Sequence, residues 1–201
     1  MLLFAEKCCK FDVGFLIDSA ASMSDCNYEN EKEIVKTIAK NFQVAPEKSQ
    51  AGIILYSDEA VLQRFKDSQT LTQFKQSVDN LPFKGGKTRL DVGMSLAATR
   101  MFKPGNGVRG TNVPKVLFVL TDGVQVSSSI ITPLKSSATS LHSRNIKVIV
   151  VGAGEAEKSQ LSQLVQSPSD IIMVEKFEDA KEKVAKLSDH MCSGLYLIFI
   201  I

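Results

Sequence analysis

The chain has 201 residues, of which 44% are hydrophobic, enough for one domain with a buried core and too apolar for a disordered or fibrous protein. Lysine and arginine total 24 against 22 aspartates and glutamates, a net charge of +2 with neither sign gathered into a segment, so nothing marks a nucleic-acid surface. Two histidines, His142 and His190, leave little from which to build a zinc site or a Ser-His-Asp triad.

The chain opens MLLFAEKCCKF, where the apolar run of Leu2, Leu3 and Phe4 stops at Glu6, short of the roughly 7 to 15 apolar residues of an export signal. Strand candidates follow at Phe11 to Ile17, Gln50 to Tyr56, Val61 to Phe65, Lys115 to Leu120, Lys147 to Val151 and Ile171 to Val174. Several are apolar at nearly every position, the pattern of central parallel strands covered on both faces. Between them lie helical periods: Glu31 to Phe42, with Asn30 and Glu33 as a capping pair, then Leu71 to Leu81, Leu90 to Met101, Ile130 to Arg144, Glu157 to Gln166 and Phe177 to Met191. The stretch from Pro104 to Pro114 reads as a mobile surface loop. At the end Leu195 to Ile201 (LYLIFII) is far short of the roughly 20 residues that cross a bilayer; truncated segment, packed tail and artefact all remain open. The organisation expected is an N-terminal extension over 1–10, one domain over 11–192 and an apolar tail over 193–201. Alternating strands and helices predict an α/β fold with a doubly wound, mostly parallel central sheet and helices on both faces, whose ligands bind beyond the strand carboxyl ends.

At those ends stand oxygen ligands. The first strand runs into Asp18, followed by Ser19, Ala20, Ala21 and Ser22; the fourth ends in Thr121, Asp122 and Gly123; and the KGGKTR loop presents Thr88 just before a helix. Carboxylates with hydroxyls favour Mg²⁺, Mn²⁺ or Ca²⁺. No histidine lies in these loops, so hydrolysis has no evident proton shuttle and the chain reads as non-enzymatic.

The segments FDVGFLIDSAAS, GGKTRLDVGMSLA, KVLFVLTDG and VIVVGAG together resemble the von Willebrand factor type A (VWA) domain, the module of matrilins, collagen VI and integrin inserted domains. The resemblance runs from Phe11 to Cys192. It implies a metal-ion-dependent adhesion site formed here by Asp18, Ser22, Thr88 and Asp122, and capture of an acidic protein ligand through the cation. The family pattern Asp-x-Ser-x-Ser is broken at its first serine by Ala20, which weakens the expected site and opens the alternative of a metal-independent matrix module. The resemblance also implies a secreted protein whose partner is a matrix or cell-surface protein such as collagen, with no nucleic acid and no membrane span.

The four cysteines are Cys8, Cys9, Cys26 and Cys192. An adjacent bridge is strained, and an extended first strand separates Cys9 from the metal loop and Cys26 by roughly 30 Å at about 3.3 Å per residue. A last helix returning to the start of that strand pairs Cys192 with Cys8 or Cys9, leaving Cys26 and the spare thiol for another chain. Two motifs compete with this picture. GGKT at 85–88 suggests a phosphate loop and, remotely, a nucleotide hydrolase using Lys87 and Thr88, but the required first glycine is Leu81. Phe102, Lys103, Arg109 and Lys115 flank a loop that could bind an acidic polymer.

Overall fold

The structure, a computed structural model, describes residues 10–66, 68–123 and 128–192, the side chains of 128–132 excepted. The N-terminal apolar run, Cys8, Cys9 and the LYLIFII tail lie outside the described residues.

Six strands form one sheet in the order β3-β2-β1-β4-β5-β6. They are β1 (Asp12–Asp18), β2 (Gln50–Tyr56), β3 (Ala60–Gln63), β4 (Lys115–Thr121), β5 (Ile146–Gly152) and β6 (Ile171–Met173). All pairings are parallel except β2 with β3, an antiparallel edge. The helices are α1 (Asp25–Asn41), α2 (Leu71–Asp79), α3 (Leu90–Leu96), α4 (Ser128–His142), α5 (Lys158–Leu161) and α6 (Ala180–Cys192). Every residue of β1 and β2 is buried, as expected of strands covered on both faces. The α/β fold expected from the alternation of apolar runs and helical periods is the fold observed.

Side chains alternate across the sheet into two cores. Val13, Phe15 and Ile17 join Phe118 under α1, α2 and α6, together with Ile34, Ile38, Phe42, Phe74 and Val184. Leu16, Ile54, Leu117 and Val119 face α3 and α4, together with Met94, Met101 and Leu141. Gly93 allows α3 to lie close on the sheet, since a Cβ there would stand 2.7 Å from Leu16 Cδ1 and 3.2 Å from Tyr56 Cβ.

Three expectations change. Helix α1 begins at Asp25, six residues before Glu31, and its cap is Ser24, which accepts the Asn27 N–H; Asn30 lies inside the helix. The first turns are polar on their outer side, which hides them from a reading of apolar period. Helix α3 continues as a π-helical turn over Ala97–Met101 rather than as regular α-helix.

The loop between Pro104 and Pro114 is fastened rather than free. Arg109 donates from Nε to Asp12 Oδ1 at 2.7 Å and from its backbone N–H to Oδ2 at 2.8 Å, and its other nitrogens reach the Lys48 and Phe11 carbonyls at 2.6 Å. Lys115 is turned inward to the Gly110 and Val113 carbonyls, and Phe102 is buried, so of the four residues set against an acidic polymer only Lys103 faces solvent. Asp12 is fully buried, and without the Arg109 guanidinium its carboxylate would keep, as a basic partner among the described residues, only the longer contact to Lys115 Nζ at 3.9 Å. Arg109→Ala is therefore expected to destabilise the fold by about 3–5 kcal/mol, read from the midpoint of urea unfolding.

Candidate metal centre

The strand order reverses between β1 and β4, and the crevice at their carboxyl ends is where an open α/β sheet holds its ligand. Asp18 is the last residue of β1 and Asp122 follows the last residue of β4. The third contributor comes from another layer. The chain crosses from α2 to α3 through residues 80–89, and that crossing is stitched to the loop after β1: Gly85 donates its N–H to Ser19 O, and Ala21 donates its N–H to Gly86 O, both at 2.9 Å.

Gly86 makes the stitch possible. Its φ is +85°, and a Cβ there would collide with the Asp58 carboxylate, which accepts the Lys87 N–H at 3.2 Å. The Gly85 and Lys87 amides are thus already spent inside the protein, where a phosphate loop would leave them open to a ligand. The consequence of the stitch is the position of Thr88. Ser22 Oγ lies 3.1 Å from Thr88 Oγ1 and donates to Asp122 Oδ1 at 3.3 Å, so side chains from three loops meet at one point.

Neither hydroxyl is consumed by a helix cap, because Ser24 caps α1 and Arg89, the residue before α3, makes no side-chain cap. Ser19 points inward, donating from Oγ to Tyr56 O at 3.1 Å, and is not part of the cluster. Ala20 is buried, and its N–H donates to Asp18 Oδ1 at 2.9 Å, a turn closed by the residue's own neighbour. Its side chain offers no oxygen.

Below this point the site is a dry pocket of acid. Asp18 is fully buried, with Oδ2 3.0 Å from the Tyr56 hydroxyl and 3.4 Å from Thr121 Oγ1. Burial pushes its carboxyl up to about 7; the Ala20 N–H and the Tyr56 hydroxyl pull the other way, and the nearby Asp122 adds to the rise. Glu31, from α1, accepts the Asp18 N–H at 3.0 Å, and burial holds its carboxyl well above the ordinary range. Asp122 is raised as well, again chiefly by burial, against the hydrogen bond from Ser22.

Among the described residues no basic side chain forms an ion pair with Asp18, Glu31 or Asp122. Nor do three His, Cys, Asp or Glu side chains converge there as a ligating group, so a cation would depend on hydroxyls as much as carboxylates. The donor set is hard oxygen throughout, the choice of Mg²⁺, Mn²⁺ or Ca²⁺, and it suits such an ion. Sequence reasoning named Asp18, Ser22, Thr88 and Asp122, which the fold brings together. It passed over Glu31, Tyr56 and Asp58, although a glutamate in register with the Ile34, Val35 and Ile38 stripe was a visible signal.

A sequence model of the von Willebrand factor type A domain matches residues 12–186. The chain belongs to the von Willebrand factor type A domain family. This VWA domain is 29% identical to the collagen alpha-1(XX) chain of Mus musculus over 161 residues, 80% of this chain and 12% of that protein. It is 26% identical to matrilin-2 of Mus musculus over 192 residues, 92% of this chain and 19% of that protein. The chain therefore spans well under two thirds of either relative. Among solved structures, proximal thread matrix protein 1 from the mussel byssus superposes with a TM-score of 0.82 at 20% identity, over 91% of this chain and 47% of that one. Another structure of the byssus protein, with a TM-score of 0.79 at 20% identity over 90% of this chain and 48% of that one, is described with a zinc-occupied MIDAS motif.

The sign of the pH dependence follows from Asp18. Its unfolded pKa is near 3.8 and its folded pKa about 7. Below the lower value it is protonated in both states; above the higher one it is ionised in both, and the folded state carries the full cost of burial. Metal-free protein is expected to lose stability as pH rises from about 4 to about 7, by on the order of 4 kcal/mol from this group. Urea unfolding across that window measures the slope, which Asp18→Asn should flatten.

Proposed function

We propose that this VWA domain is a non-enzymatic adhesion or matrix-assembly module of the extracellular matrix that captures an acidic side chain of a protein partner through a divalent cation. The observation that carries the reading is the meeting of Ser22 with Thr88 at 3.1 Å and with Asp122 at 3.3 Å, beside a buried Asp18 that has no basic partner among the described residues. Asp18, Ser22, Thr88 and Asp122 hold the cation, which supplies a positive centre and an open coordination position for the partner's carboxylate. The matrix setting is supported by the collagen and matrilin relatives, and the use of a divalent ion by the zinc-occupied motif of the byssus protein. A matrix or cell-surface protein such as collagen is the partner class. Among the described residues no helix is long and apolar enough to cross a membrane.

Ala20 favours a second reading, in which the domain binds matrix through its helices and loops without metal, because one hydroxyl of the family pattern is lost. Calorimetric titration of Mg²⁺, Mn²⁺, Ca²⁺ and Zn²⁺ into metal-free protein separates the two. Binding by the natural sequence, lost at least tenfold in Asp122→Ala and tightened in Ala20→Ser, is the expected result, by the usual cost of removing a ligand-shell group. No binding by the natural sequence, with collagen capture unchanged by chelator, would establish the second reading.

The domain over 11–192 is closed by a clasp between Cys192 and Cys8 or Cys9. Cys192 Sγ lies 3.5 Å from Asn41 O, and the Phe11 ring meets Phe42 edge-on at 5.1 Å, so the end of α6 and the start of β1 both adjoin the end of α1. Cys26 is exposed on the first turn of α1, about 22 Å away along the helix, and is left for an intermolecular link. Non-reducing peptide mapping is expected to return Cys192 linked to Cys8 or Cys9; a Cys26–Cys192 peptide would sink the assignment.

A further inference from the structure

One group at the site has no role in the capture of a carboxylate as described. Glu31 occupies a position on α1 in register with Ile34, Val35 and Ile38, all buried in the same core, where an apolar side chain would pack without loss. It is instead a carboxyl with no exposure at all. Its Oε1 accepts the Asp18 N–H at 3.0 Å, while Oε2, also out of contact with water, has no hydrogen-bond partner among the described residues. Buried polar groups are retained without partners where something else completes them.

What surrounds Glu31 indicates what that is. The Asp18–Ala20 turn is held from the front by Asp18 Oδ1, which accepts the Ala20 N–H, and from behind by Glu31, which accepts the Asp18 N–H. Position 20 is also where the side chain brings a methyl group in place of an oxygen. The Glu31 carboxyl is thus anchored through Oε1, with Oε2 left open, to the very turn where Ala20 brings no oxygen. We propose that Glu31 is a positioning residue of the cation site, which fixes the Asp18–Ala20 turn through Oε1 and, as the cation and its waters enter, turns its open Oε2 to one of those waters in place of the absent hydroxyl. A hard cation such as Mg²⁺ keeps several of its waters, so an acceptor that grips one of them can stand in for a direct ligand. The inference rests on the cation reading above.

Glu31→Gln keeps the volume and an acceptor for the Asp18 N–H but turns the open oxygen into an amide NH₂ donor. Calorimetric titration of Mn²⁺ into the metal-free chain is compared for the natural sequence, Glu31→Gln, Ala20→Ser and the double variant, with thermal unfolding in chelator confirming that each is folded. The expected result is a loss of about tenfold or more in Mn²⁺ affinity for Glu31→Gln, as for other groups behind a metal's ligands, shrinking to less than about threefold when Ala20→Ser restores the hydroxyl. The same loss in both backgrounds, or no loss in a folded Glu31→Gln, would overturn the proposal and leave the cation reading standing. Silence of the natural sequence beside binding by Ala20→Ser would overturn it too, because Glu31 would then fail to make good the hydroxyl. Silence of the natural sequence, whether or not Ala20→Ser binds, would overturn the cation reading as well.

Discussion

A carboxyl buried at the end of a central strand, with no basic side chain among the described residues to pair it, governs the upper edge of this sheet. Asp18 sits where β1 and β4 part, and among the described residues its two oxygens are met by the Ala20 N–H and the Tyr56 and Thr121 hydroxyls. Three neutral donors hold the group in place without cancelling its charge, and burial raises its pKa accordingly. Glu31 and Asp122 deepen the imbalance. The contrast with the opposite edge is instructive: there the equally buried Asp12 is matched by Arg109, and the result is a lock between a loop and the sheet. One acid is paired and structural; the other has no basic partner among the described residues.

The loops around Asp18 are organised by backbone hydrogen bonds more than by side chains. The Ser19 and Gly86 carbonyls and the Gly85 and Ala21 amides tie the first loop to the crossing between α2 and α3, and Asp58 braces that crossing from the end of β2. Because main-chain bonds set the spacing, Thr88 reaches Ser22 even though position 20 has lost its side-chain oxygen. The turn keeps its shape through the Asp18–Ala20 hydrogen bond, which any residue at 20 can make. An alanine at that position therefore leaves the crevice with one side-chain oxygen fewer than a serine would give and leaves its architecture alone.

Family membership fits this division. The match over residues 12–186 runs from the first residue of β1 into α6 and so takes in the whole sheet, while identity to the collagen and matrilin relatives stays below 30%.

By itself the sequence determined the alternation of strands and helices, because a strand covered on both faces must be apolar throughout and a helix covering it must carry a stripe. It also pointed to four oxygen-bearing residues, Asp18 and Asp122 by their strand ends, Thr88 by its glycine turn and Ser22 by the resemblance to the family pattern. Tertiary structure alone decided the rest. The start of α1 depended on which serine accepts an amide from the next turn, a choice between Ser24 and the Asn30 pair that period cannot make. The inward turn of Arg109 depended on a buried partner 97 positions away. The place of Glu31 beneath Asp18 depended on how α1 lies across β1. Each is a contact between residues distant in sequence or a competition between near-equal local options, and such choices are settled by packing, on which composition and spacing are silent.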